Sequence, residues 1–473
     1  MKIFSNIIMF PIIPNPLPGT ADMSLPTTIT AMHVKDIRYP TSIQLDGSDA
    51  MHKSPDYSCC YVILETDGPL TGHGHTFTVG KGTDVVCYAA DIMKKYVVGR
   101  KLDAIFNNFG QYWHEVTCDD QFRWIGPEKG VTHMATAAVM NAIWDLWAKI
   151  EGKPLWKLLV DMDAEQLVNC IDFSYIEDVL TKEEAIGILK GMDATKATRE
   201  AEMRETGYPI YTTSCGWLGY SDEKITKLAT EAMSQGFSRF KMKVGQDVKD
   251  DIRRAAIFRK VIGPDRIWCV DANQVWGIQQ AIDWMTALAP YKPLWIEEPT
   301  SPDDILGHAA IAKALNPLGI GVATGEMCHN RVMFKQFLQA GALQFCQIDA
   351  CRLGGVNEVI AVILMATKFN VPVCPHAGGV GLCELVQHYA MFDYIRCCGT
   401  LENRMTEFAD HLHEHMCDPV VVRNGHYMPQ KEPGFLVGMK AQSLSDYEYP
   451  VGAAWQKLFD EGVFKRDHAH ENN

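Results

Sequence analysis

Between residues 239 and 407 a short apolar run ends, repeatedly, in a single charged or ionisable residue. The runs close at Lys241 and Lys243, then at Asp271, Glu297, Glu326, Asp349 and His376, and Glu407 follows the last of them. From Lys243 onward the steps are 28, 26, 29, 23, 27 and 31 residues, each the length of one strand, one helix and two loops. Strand patterns fall at 209–215, 239–244, 267–273, 294–298, 320–326, 343–349, 371–376 and 394–399, with helical patterns such as 250–262, 278–288, 330–339 and 356–368 between them. Such alternation predicts successive βαβ units and a parallel sheet. Eight units close into a barrel, whose reactive groups sit at the carboxyl ends of the strands. Each polar residue named above falls at or just past such an end.

The first third reads differently. Residues 31–78 alternate as strands do, and the runs 61–66 and 71–78 meet at Asp67-Gly68, a hairpin signal. Helical patterns follow at 84–97, 102–113 and 131–149, which makes 29–165 an α+β domain. Its stretch Gly47-Ser48-Asp49-Ala50-Met51-His52, with Tyr57 nearby, is too rich in small polar residues for a core. It reads as an exposed turn or as a lid over the barrel mouth. Residues 166–208, a strand-like piece from Leu167 and a charged helical stretch at 182–205, form an insertion leading into a barrel at 209–420. Residues 421–473 read as a return across the first domain and a tail. Residues 1–28, apolar but broken by prolines, read as a disordered extension without the features of a secretory signal.

Composition narrows the partners. A chain of 473 residues with 47% apolar residues buries a large core. Its net charge of -14 argues against nucleic acid and against an anionic membrane, and no apolar run approaches the roughly 18 residues of a membrane span. Fifteen scattered cysteines read as free thiols in a reducing, intracellular compartment, cytoplasmic or mitochondrial. The adjacent pairs Cys59-Cys60 and Cys397-Cys398 carry no chemistry, and His411, His413 and His415 read as a solvated loop in preference to a metal site.

The strand-end residues suggest a reaction. Lys241 and Lys243 are two apart, so both face one side of their strand, and their mutual repulsion is expected to lower the pKa of each until one serves as a base. Asp271, Glu297 and Glu326 put three carboxylates around one point, where a cation relieves their repulsion; all-oxygen ligands favour Mg²⁺. Asn273 shares the Asp271 face and suits a hydrogen bond to a ligand. Asp349 beside His376 fixes an imidazole tautomer and raises its basicity. A lysine base, a metal and a histidine on opposite walls suit abstraction of a proton next to a carboxylate, which a base alone, supplying roughly 10²–10⁴-fold, does not achieve.

These residues resemble a known family. Lys241-Met242-Lys243, Asp271-Ala272-Asn273-Gln274, Trp295-Ile296-Glu297-Glu298-Pro299, Thr324-Gly325-Glu326, Gln347-Ile348-Asp349 and Pro375-His376-Ala377-Gly378-Gly379 are similar to the mandelate racemase subgroup of the enolase superfamily, whose general pattern is a Lys or His base with Mg²⁺. The strings at 123–130, 144–147, 301–308 and 376–388 resemble its L-fuconate dehydratases. The resemblance implies an α/β fold, a modified TIM barrel of (β/α)7β type with an α+β capping domain. It implies a hydro-lyase in which Lys243 removes the C2 proton, Lys241 tunes it and touches the substrate carboxylate, and Asp271, Glu297 and Glu326 hold the Mg²⁺ that stabilises the enediolate. His376, oriented by Asp349, would protonate the departing C3 hydroxyl, and Glu407 would hydrogen-bond the enediolate oxygen. Gly47, Ser48, Asp49 and Tyr57 match lid positions that contact substrate. Relatives of this kind usually assemble, so a homo-oligomer is implied. Met327-Cys328 beside Glu326 departs from the family pattern. The alternatives are a dehydratase of a galactonate-like or rhamnonate-like acid, and further off a racemase or a non-catalytic barrel.

Overall fold

The computed structural model describes residues 25–466. Most of the expected amino-terminal extension and the end of the expected tail therefore lie outside the described residues. Residues 25–28 do not behave as a loose extension: the Thr27 N–H donates to Asp67 at 2.8 Å, and Thr28 bridges to Lys101.

Strands β1 (Ile29–Arg38), β2 (Ser58–Thr66) and β3 (Gly72–Thr78) form an antiparallel sheet in that order. The helix Gly130–Ile150 packs across it. This helix is buried along nearly its whole length, in keeping with a composition that is apolar all round. Close approach is possible because β3 carries Gly72 and Gly74; a Cβ on Gly74 would stand 2.3 Å from the Ala142 nitrogen.

The second sheet is the expected barrel. Strands β4 (Tyr208–Thr212), β5 (Arg239–Lys243), β6 (Ile267–Asp271), β7 (Trp295–Glu297), β8 (Gly321–Thr324) and β9 (Phe345–Cys346) run parallel in sequence order. The 371–376 segment adds a bridge from Val373 to Cys346, and β10 (Thr406–Phe408) pairs with β4 to close the ring. These strands read as nearly continuous apolar runs because helices cover one face and the barrel core the other. A hairpin of β11 (Val421–Arg423) and β12 (His426–Met428) extends β4 on its antiparallel side.

Two expectations from the sequence are corrected. Residues 394–399 are not a strand. Residues 394–398 fall in a π-helical turn, Asp393–Cys398, that continues the helix Leu382–Phe392 and is capped by Gly399, and the last barrel strand is Thr406–Phe408. A short apolar run bounded by glycine does not by itself distinguish a strand from a buried helical turn. The strand-like piece after Leu167 is likewise the end of a helix, Ala164–Asn169, followed by turns.

After the barrel the chain returns to the first sheet. The Trp455 indole N–H donates to the Arg38 carbonyl at 2.9 Å, and the Met439 N–H donates to the Tyr61 hydroxyl at 3.0 Å. The expected insertion contains helices Lys182–Gly191 and Lys196–Thr206, the first closed by a capping box between Thr181 and Glu184.

Candidate active site

Parallel register builds the site. Lys243 pairs with Asp271 and Asp271 with Glu297, so three ionisable residues form one row across β5, β6 and β7 at their carboxyl ends. Lys241 lies one inward-facing position below Lys243 on the same side of β5. Glu326 follows β8, Asp349 follows β9, His376 ends the 371–376 segment and Glu407 lies in β10. Immediately after the row the backbone turns sharply: Asn273, Gln274 and Glu298 all have positive φ, 46°, 71° and 43°. This turn brings the Asn273 N–H to Asp271 Oδ1 at 3.0 Å, and among the described residues the buried Asn273 Oδ1 accepts no hydrogen bond.

Asp271, Glu297 and Glu326 each offer an oxygen within 4.8 Å of the others. Asp271 and Glu297 are fully buried, and among the described residues the buried Glu326 Oε2 accepts no hydrogen bond, its nearest cation being His376 Nε2 at 3.5 Å. Burial, then the neighbouring Asp271, pushes the Glu297 carboxyl up despite Lys241. Crowded carboxylates with an orphaned oxygen and no softer donor among them fit a hard divalent cation such as Mg²⁺.

The lysines depart from expectation. Lys241 Nζ lies 2.7 Å from Glu297, 2.8 Å from Glu407 and 3.3 Å from Asp271, and Lys243 Nζ lies 2.5 Å from Asp271. Burial lowers the Lys243 pKa, and Lys241 pushes the same way as anticipated, but Asp271, Asp49 and Glu326 outweigh both and the net shift is upward. Lys241 is also shifted up, since Glu297 and Glu407 overcome its burial. Both shifts run opposite to the expected lowering, because more carboxylates than lysines crowd the row.

His376 faces the metal carboxylates from the other wall. Its Nδ1 lies 2.7 Å from Asp349 Oδ2, while Nε2 lies 3.5 Å from Glu326 and 3.8 Å from Glu407. Burial would lower the imidazole, but Glu326, Asp349 and Glu407 together push it up to about 10, so the ring carries a proton it can give. Asp349 Oδ1 is pinned in turn by the Cys351 and Arg352 N–H groups at 2.7 and 2.9 Å. Glu407, pushed to about 2 because Lys241 and His376 outweigh its burial, is an ionised acceptor that also takes the Ala377 N–H at 2.9 Å. To donate to a substrate oxygen it must first take a proton.

These groups meet in a cavity of about 350 Å³ between the barrel mouth and the first domain. Lys243, Asn273, Glu326, Asp349, His376 and Glu407 line it from the barrel, and Gly47, Asp49 and Tyr57 from the lid. Ser48 is not among the lining residues, and Lys241 lies beneath the cavity floor. His52, the last residue of the loop read as a turn or a lid, also faces it, as do residues the sequence did not single out: Phe77 and Met134 from the first domain, Thr213 and Trp217 after β4, and Arg352. Thr213 directly follows β4 and obeys the strand-end rule that found the others, whereas Phe77 and Met134 belong to another domain and carry no local signal. Of the three histidines after Glu407, His413 pairs with Glu384 and His415 with Ser443, both structural contacts.

Residues 29–160 match the mandelate racemase / muconate lactonizing enzyme N-terminal domain, and residues 224–443 match the enolase C-terminal domain-like family. The chain belongs to the enolase superfamily. It is 61% identical over 432 residues to mitochondrial enolase superfamily member 1 of Xenopus laevis, covering 91% of this chain and 97% of that protein. To L-galactonate dehydratase of Hypocrea jecorina it is 52% identical over 433 residues, 90% of this chain and 96% of the relative. The crystal structure of human mitochondrial enolase superfamily member 1 superimposes with a TM-score of 0.91 at 57% identity, covering 92% of this chain and 99% of that one. A racemase from Streptomyces coelicolor, solved with bound magnesium, aligns at a TM-score of 0.69 and 25% identity over 89% of this chain and 99% of that one. In this member of the enolase superfamily Lys243, Glu326, Glu407 and the Asp349–His376 pair line one cavity, with Asp271 and Glu297 in the same row as Lys243.

Proposed function

We propose that the protein is a hydro-lyase that dehydrates a sugar acid, and that its substrate is L-fuconate, giving 2-dehydro-3-deoxy-L-fuconate. The carrying observation is that Lys243 and His376 face one cavity with the three carboxylates of a cation site between them. Mg²⁺ held by Asp271, Glu297 and Glu326 would supply positive charge to the substrate carboxylate as C2 loses its proton. Lys243 takes the C2 proton as the free amine, a form that a cation among the neighbouring carboxylates would favour by offsetting the charge that otherwise holds a proton on it. The electron pair left at C2 forms the C2–C3 double bond as the C3–O bond breaks, and the leaving hydroxyl takes the His376 Nε2 proton to depart as water. The enol tautomerises to the 2-keto acid. Asp349 keeps the imidazole aligned, Glu407 holds Lys241 in place, and Asn273 offers its unpartnered carbonyl to a substrate hydroxyl.

A second reading, L-galactonate, is favoured by the 52% identity to a dehydratase named for that acid. The two acids share their configuration at C2 to C5, since L-fuconate is the 6-deoxy form, so choice between them rests on C6. Fifteen free cysteines, most of them buried, fit a reducing compartment, cytoplasm or mitochondrion. Among the described residues no helix is long and apolar enough to cross a membrane. Trp124 and Ile125, 89% and 72% exposed, suit a contact in a homo-oligomer.

The test is turnover of a panel of five- and six-carbon sugar acids with Mg²⁺, scored for 2-keto-3-deoxy product, alongside Lys243→Ala and His376→Ala. L-fuconate as the preferred acid, with both variants inactive, is the expected result. A lead for L-galactonate selects the second reading. Mg²⁺ binding without turnover of any acid removes dehydration as the function.

A further inference from the structure

We propose that His52, oriented by Asp49, is the lid residue that touches the substrate and reads the hydroxyls beyond C3. The assignment rests on the sugar-acid reading above. Asp49 is spent inside its own loop: Oδ1 accepts the Met51 and His52 N–H groups at 2.7 and 2.6 Å, and Oδ2 lies 3.2 Å from His52 Nδ1. The Asp49 N–H returns to the His52 carbonyl at 2.9 Å, which closes the loop on itself. Gly47 serves packing, because a Cβ there would stand 2.3 Å from the Tyr57 hydroxyl. Ser48 does not line the cavity.

That leaves His52. Its side chain is 39% exposed, against 9% for Asp49, and it lines the cavity that holds Lys243, Glu326 and His376. Nδ1 is committed to Asp49, and among the described residues nothing bonds Nε2. A neutral ring accepts a hydrogen bond there and a charged ring donates one, so a hydroxyl, being both donor and acceptor, satisfies Nε2 in either state. The reacting end of the substrate is addressed from the barrel by Lys243, His376 and the carboxylates. The lid comes from the opposite side and meets the remaining carbons. His52 therefore sits where a sugar chain differs from a short hydroxy acid, and Asp49 acts through it as a positioning residue.

The test is binding, read without turnover. In the Mg²⁺-loaded Lys243→Ala protein, calorimetry compares L-fuconate with a four-carbon aldonic acid of the same C2 and C3 configuration. His52→Ala is expected to weaken L-fuconate about tenfold and the short acid by less than about threefold, the loss of one hydrogen bond. His52→Gln, whose amide nitrogen reaches the Nε2 position, is expected to restore most of the affinity. Asp49→Ala added to His52→Ala should cost nothing further, since a residue acting through another is not additive with it. Equal loss on both acids, no loss on L-fuconate, failure of glutamine to rescue, or an additive Asp49 effect each overturns the assignment. If neither acid binds while His52 is intact, the sugar-acid reading itself is wrong and this assignment falls with it, a result visible before any His52 variant is compared.

Discussion

The two halves of the reaction are divided between single residues whose charges are set by their neighbours. Lys243 sits against Asp271 and His376 against Asp349, and these pairs face each other across the cation site. Separate roles make separate failures. His376→Asn removes the acid that carries off the C3 hydroxyl but leaves the base at C2, so dehydration should fall roughly 10²–10⁴-fold, the scale of general acid–base catalysis. Exchange of the C2 proton with D₂O, followed by NMR, should persist in that variant and vanish in Lys243→Ala. Loss of exchange in His376→Asn as well would mean that the histidine takes part in the first step.

At the scale of elements, strand register does the positioning. A one-residue slip of β6 against β5 would turn Asp271 away from the cavity, so the apolar runs that anchor β5, β6 and β7 are as necessary to the site as the charges. The capping sheet is held as tightly. β3 lies on the helix Gly130–Ile150 at two glycines, and that helix contributes Met134 to the cavity wall. Gly74→Ala should force the two apart and cost about 1–3 kcal/mol, the usual price of overpacking, seen as a lower urea midpoint with an unchanged slope. The 394–399 run shows the limit of local reading. Its apolar residues suit a strand, yet the chain there is still completing the turn of a helix, and β10 forms only eight residues past that turn, at Thr406.

At the scale of the whole molecule, buried polar contacts join the capping domain to the barrel. Arg331 after β8 pairs with Glu128 at 2.7 Å and Glu358 at 3.2 Å, and His133 meets Glu358 at 2.6 Å. A second joint is His388, whose Nδ1 accepts the Trp156 N–H at 3.1 Å. Burial pushes His388 down to about 3, against roughly 6.5 in an unfolded chain. Between those values the unfolded chain binds a proton that the folded one does not, so stability falls as pH drops below about 6.5. The contribution is about 1.4 kcal/mol per pH unit, or about 2 kcal/mol by pH 5. His388→Asn, which keeps an acceptor for Trp156, should flatten the pH dependence of the urea midpoint by that amount; an unchanged slope would show that His388 does not titrate in this range. The sequence by itself determined the barrel, the α+β domain before it and the strand-end residues, because a two-residue strand period and steps of 23 to 31 residues are local properties that survive without neighbours. Only the tertiary structure decided the direction in which the Lys241 and Lys243 pKa values move, the closing strand, and the meeting of Phe77 and Met134 with the barrel residues. Charge depends on every group within a few ångströms, and those groups come from strands and domains far apart in the chain.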